Sequence, residues 1–116
     1  MSVTVYGIST CDTVKKARKW LDDHGIVHTW VDFRATPPEA ARVARWVATF
    51  GTPPMRNTSG GAYRALGDEK AGWDDARWTA AFQGDVMLVK RPIVEVDGVP
   101  ALVGFREEAY AQRFTK

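Results

Sequence analysis

From Val3 to Gly7 the chain is rich in β-branched and aromatic side chains with partial alternation, which predicts a strand. Polar Ser9 and Thr10 interrupt it, and from Val14 the period changes. Val14, Ala17, Trp20 and Leu21 fall on one side of a helix, and Lys15, Lys16, Arg18, Lys19 and Asp22 on the other. Gly25 tolerates the left-handed conformation that ends helices, and a cation at His24 just before it suits the helix dipole. Residues 28–33 (HTWVDF) predict a second strand, with His28 exposed at its start. A strand, helix, strand unit of this length is expected to be parallel and right-handed.

Residues 36–39 (TPPE) have the pattern of a capping box with proline at the first helical position. They predict a helix running from there through Ala40, Val43, Ala44, Val47 and Phe50, ended by Gly51. Residues 52–61 (TPPMRNTSGG) predict a loop, followed by a short helical stretch near 62–66 and a helix near 74–82. Beyond Arg91-Pro92 the period becomes strand-like: IVEV, Asp97-Gly98 and VPALV predict a hairpin on a two-residue turn. A helix near 106–113 follows. The order is βαβ, helices, ββα, with no repeat or linker, which points to one α/β domain over residues 1–116. The expected architecture is a thioredoxin-like mixed sheet with a helical insertion at about 37–88.

A chain of 116 residues buries roughly 65% of its unfolded surface on folding, enough for a core of its own. No apolar stretch approaches the ~20 residues of a membrane helix, and Met1 leads straight into a strand-like segment with no basic, apolar leader, so a cytoplasmic location is expected. A net charge of +2 makes nucleic acid an improbable partner on electrostatic grounds. The local excess at Lys15, Lys16, Arg18 and Lys19 suits a solvated helix face. One cysteine excludes an internal disulfide, and Cys11, His24 and His28 supply too few ligands for a structural zinc site, so no metal is expected.

Cys11 lies in the polar run Ser9-Thr10-Cys11-Asp12-Thr13 between strand and helix, where a core residue would be out of pattern. A free cysteine is more often a small buried hydrophobe, and that alternative stands beside the functional one. At a helix start, N–H groups without helical partners and the positive end of the dipole both favour a thiolate, the nucleophilic form. Lys15, four residues on, and Arg91 would add to the effect. Asp12 would oppose it unless its carboxylate turns away or caps the helix. Val14 stands where dithiol motifs carry a resolving cysteine, so a mixed disulfide on Cys11 must be resolved by an external thiol. His28 as a base paired with Cys11 is a minor alternative. Trp20, Trp46 and Trp78 fall on predicted helices and are expected to fill core space.

Three segments, YGISTCDTVKKARKWL, NTSGGAYRALG and KRPIVEVDGVPALVGF, together resemble the arsenate reductase (ArsC) and Spx family, closest to its YffB-like branch. The resemblance covers nearly the whole chain. It implies a thioredoxin-like fold, Cys11 as redox nucleophile, Pro92 as the cis proline beside it, and Arg91 as the arginine that meets an oxyanion or a glutathione carboxylate. Arsenate-reducing members hold the oxyanion with three arginines; here Asn57 and Gly104 occupy two of those positions, with Arg56 and Arg106 beside them. Spx-type regulators bind RNA polymerase and carry a CxxC switch that Val14 removes.

These readings converge on a monothiol reductase that uses glutathione as co-substrate and no resident cofactor. Cys11 is the nucleophile, and Thr10, Lys15, Asn57, Thr58, Arg91 and Pro92 line the substrate. The substrate is then glutathione, another small thiol or disulfide, or an oxyanion. The alternatives are an arsenate reductase completed by glutaredoxin or glutathione, and an Spx-like binding protein that does no chemistry.

Overall fold

The computed structural model describes residues 1–115. The chain forms two compact units, one made of Met1–Thr36 and the stretch from Arg91 onward, the other of Pro37–Lys90. In the first, β1 (Val3–Gly7) leads through a tight turn into α1 (Asp12–Asp23) and then β2 (Thr29–Asp32), and β3 (Ile93–Val96), β4 (Val99–Val103) and α6 (Glu107–Phe114) complete it. The strand order is β2-β1-β3-β4, with β1 and β2 parallel and the other neighbours antiparallel. This is the mixed sheet of an α/β, thioredoxin-like fold.

Side chains alternate across a strand, so Val3 and Val5 share a face with Val94 and Val96 of the antiparallel partner. Onto that face pack Ala17, Trp20 and Leu21 of α1 and Tyr110 of α6, the helical spacing read in the sequence, with Phe105 and Phe114 at the margin. The β3–β4 turn is the expected one: Asp97 and Gly98 have φ of 53° and 78°, the left-handed pair of a hairpin turn. His24 caps the C-terminus of α1, its Nδ1 2.8 Å from the Trp20 carbonyl and its ring stacked on Trp20.

In the second unit, α2 (Ala40–Phe50), α3 (Thr52–Met55), α4 (Gly61–Arg64) and α5 (Asp75–Gly84) are joined by loops and two 3₁₀ turns. Val43 and Trp46 of α2, Met55 of α3, and Trp78 and Phe82 of α5 are its buried apolar side chains, with Leu88 and Val89 beyond them. Trp20, Trp46 and Trp78 are therefore core residues, as their helical positions implied.

Two local expectations fail for stereochemical reasons. The capping box at 36–39 does not form, and α2 starts at Ala40 with Glu39 as an N-cap that makes no side-chain bond. Pro37 would have to be the first helical residue, yet it precedes another proline, which pushes it out of the helical region. Conversely, residues 52–55 form a helical turn rather than loop, because Pro53 and Pro54 sit where a helix has no N–H to donate.

Candidate functional site

Cys11 is the N-cap of α1. A turn closed by the Cys11 N–H on the Ile8 carbonyl (3.1 Å) carries the chain off β1, and the Cys11 carbonyl accepts the first helical bond, from Lys15 N–H (3.0 Å). Gly7 permits this geometry: a Cβ there would lie 2.7 Å from Val14 Cγ2. Val14, at the position of a resolving cysteine, is instead a buried side chain packed on β1.

The thiol is partly buried. Burial pushes its pKa up, but the Val14 N–H, the Arg91 side chain, the Thr13 N–H and the Arg91 charge together outweigh that and hold it below the ordinary thiol value. The sulfur takes no formal cap bond; it sits at the open end of the helix with the Thr13 and Val14 N–H groups turned to its anion. Arg91 comes from the far end of the chain, through a cis peptide to buried Pro92. The Pro92 carbonyl accepts from Gly104 N–H at 2.8 Å, and the Gly104 carbonyl accepts from the Tyr110 hydroxyl at 2.8 Å. Burial raises the Tyr110 phenol well above its ordinary value, so it serves as a fixed donor. These bonds fix the strand start that delivers Arg91.

Asp32, at the end of β2, was not singled out by sequence. Its carboxylate accepts from the N–H groups of Arg34 (2.8 Å) and Ala35 (3.3 Å) and from that of Ser9, within the turn that holds Cys11. The Arg34 N–H bond leads the lowering of its pKa. An aspartate two residues before the N–H that donates to it is an Asx-turn signal, but Ser9 lies outside any local pattern.

Of the other sequence-derived residues, Thr10 and Lys15 are exposed beside Cys11. Asn57 and Thr58 belong to the Pro37–Lys90 unit. There the Asn57 amide donates to the Met87 carbonyl (3.3 Å), its Oδ1 accepts from Ser59, and the exposed Thr58 gives its N–H to the Arg56 carbonyl (3.0 Å). His28 is a correction: its side chain is 4% exposed, not open to solvent. Arg18 Nε donates to its Nε2 (3.3 Å), while its Nδ1 bonds the Ile26 carbonyl (3.2 Å), so neither nitrogen is available as a base for Cys11. Among the described residues no group of three or more His, Cys, Asp or Glu side chains is placed to hold a metal ion, and no helix is long and apolar enough to cross a membrane.

The ArsC family model matches residues 6–113. The chain belongs to the ArsC family. It is 37% identical over 113 residues to an uncharacterized protein of Haemophilus influenzae, covering 97% of this chain and 98% of that one. Among solved structures, the YffB protein is 36% identical with a TM-score of 0.87, over 96% of this chain and 97% of that one. An arsenate reductase related protein from Brucella melitensis is 38% identical with a TM-score of 0.78, over 100% and 97%.

Three positions bear on which ArsC-family chemistry this chain carries. Gly104 has φ +75°, where L side chains are strained, so its backbone is built for glycine and not for an oxyanion-binding arginine. Arg56 is occupied in its own unit, its guanidinium 4.3 Å from the Trp78 ring centre and Nη2 3.1 Å from Thr52 Oγ1. Arg106 is an exposed N-cap whose Nη2 pairs with Glu108 at 2.9 Å.

Proposed function

We propose that this chain is a glutathione-dependent monothiol reductase. The observation that carries the reading is the chain's only cysteine at the N-terminus of α1, its thiolate favoured by Arg91 and by helix N–H groups, with a buried valine where a resolving thiol would stand. Membership of the ArsC family supports thiol-based reduction as the class of chemistry.

In the first step the Cys11 thiolate attacks the glutathionyl sulfur of a mixed disulfide. A Cys11–glutathione disulfide forms, and the substrate thiolate leaves and takes a proton from water. In the second, a glutathione thiolate attacks that glutathionyl sulfur, restoring the Cys11 thiolate and releasing oxidised glutathione. In sum the mixed disulfide and one glutathione thiol give the substrate thiol and oxidised glutathione: the substrate's sulfur is reduced, the entering glutathione's is oxidised, and the transferred glutathionyl sulfur stays at the disulfide level. Arg91 holds the anionic sulfur before and after each transfer, and the Pro92 backbone lines the glutathione. The compartment would be the reducing cytoplasm, where such a thiol stays active.

Arsenate reduction is the second reading, favoured by the Brucella melitensis relative's description. It is the weaker one, because of the three positions that hold the oxyanion in arsenate-reducing members Arg91 alone keeps an arginine, while Arg56 and Arg106 are engaged elsewhere. A residue-resolved NMR titration of the reduced protein separates the two. Glutathione shifting amides around Cys11 and Arg91, with arsenate silent, is the expected result; arsenate alone binding there would reverse the order. Cys11→Ser should remove turnover of a glutathione mixed disulfide while leaving the fold intact, and retained turnover in that variant would sink the proposal.

A further inference from the structure

Beside the Cys11 turn, a groove of roughly 480 Å³ runs along α1 from Ser9 past Lys15, Arg18 and Lys19 to Asp22 and Asp23. Lys19 is occupied by Asp23 at 2.7 Å. Arg18 is different. Its guanidinium is half-buried, 4.5 Å from the Trp30 ring centre, and its Nε is tied to His28, whose buried ring is braced by the Ile26 carbonyl. Asp22 Oδ1 stands 3.9 Å from His28 Nδ1, and no described carboxylate pairs with Arg18. Both terminal nitrogens of a guanidinium fixed on two sides are thus left for a ligand in the groove. A stacked, pre-oriented arginine fork is the group that binds a carboxylate through two parallel hydrogen bonds.

Arg18 follows Cys11 by seven residues, about 10 Å along the helix axis. The two arms of a tripeptide thiol, one residue to each side of the sulfur-bearing residue, place their carboxylates on the order of 7–10 Å from the sulfur. We propose that Arg18, held by His28 and Trp30, is the carboxylate subsite for the thiol that forms a mixed disulfide with Cys11. The substrate class is then narrowed to thiols and disulfides with a carboxylate at that reach. The proposal rests on the reductase reading given above, and Arg18 is a binding residue in it, not a catalytic one.

The test compares two substrates, the mixed disulfide of glutathione with 2-mercaptoethanol and its counterpart made from glutathione diethyl ester. Arg18→Gln should raise KM for the acid ~10-fold, as loss of one charge-assisted pair does, with kcat and the ester's KM unchanged. Arg18→Lys should fall between, keeping the charge without the fork. If Arg18→Gln weakens acid and ester alike, Arg18 only packs on Trp30 and the subsite is wrong; no change in either substrate is equally fatal to it. Binding of S-methylglutathione to the reduced protein, followed by NMR, separates this failure from that of the reductase reading. A wild-type protein that turns over neither disulfide but binds S-methylglutathione more tightly than Arg18→Gln does keeps the subsite and loses the reductase. Binding that is equal in the two proteins, or absent from both, removes the subsite.

Discussion

The unit that carries Cys11 and the Pro37–Lys90 unit use their cations differently. In the helical unit three cations lie on aromatic faces: Arg56 on Trp78, Lys70 on Tyr63 and Arg77 on Trp73, at 4.3, 4.8 and 3.9 Å. Each covers the face of a ring in that unit, and each contributes about 0.5–1 kcal/mol. In the sheet unit Arg91 is turned to the cysteine sulfur, and Arg18, though stacked on Trp30, keeps its terminal nitrogens open. The same residue types thus cover rings in one unit and, in the other, face the thiol and the groove beside it.

The largest effect that sharpens this contrast is on stability. Trp46→Ala empties a fully buried site in α2, and Leu21→Ala one in α1; they should cost about 3–5 and 2–5 kcal/mol in urea unfolding. Next comes Arg91→Met, which should raise the pH of half-maximal Cys11 alkylation, since a cation beside a titrating anion is removed. It should change global stability little. A stability loss as large as that of Leu21→Ala would mean Arg91 belongs to cohesion and would break the contrast.

The thiolate also links to folding. Its folded pKa lies below the unfolded one, so its contribution is complete above the unfolded value and is lost as pH falls through the folded value. The stability difference between the wild type and Cys11→Ser should therefore grow as pH rises through the folded value toward the ordinary thiol pKa of ~8.5; a flat difference would show that the sulfur is not held as an anion.

Asp32→Ala tests the Cys11 turn more finely. Loss of the bond to Ser9 loosens the turn and should raise the alkylation pH, by less than Arg91→Met does. Simple removal of a negative charge would lower it instead, and Asp32→Asn, which keeps an acceptor, should restore most of the wild-type profile. The smallest effect belongs to Arg56→Gln, about 1 kcal/mol less stable, with disulfide turnover within two-fold of wild type.

How much was readable in advance follows from how far each feature reaches along the chain. The strand at Val3–Gly7, the amphipathic α1 and the Asp97-Gly98 turn depend on period and turn stereochemistry over a few residues, and all formed where the sequence put them. The Thr36 capping box misled because one proline vetoed the helical conformation of the residue before it. His28 was read as exposed because nothing near it in sequence announces a buried partner.

By itself, then, the sequence determined the order of elements, the hairpin, the helical positions of the core tryptophans and the presence of one thiol at a helix start without a resolving partner. The tertiary structure decided the rest: Arg91, eighty residues on, at the sulfur; Ser9 pinned by Asp32; Arg18 clamped between His28 and Trp30; Arg56 laid over Trp78. Local propensity places backbone, whereas the target of a long charged side chain is set by whichever distant surface the sheet register and helix packing bring within its reach.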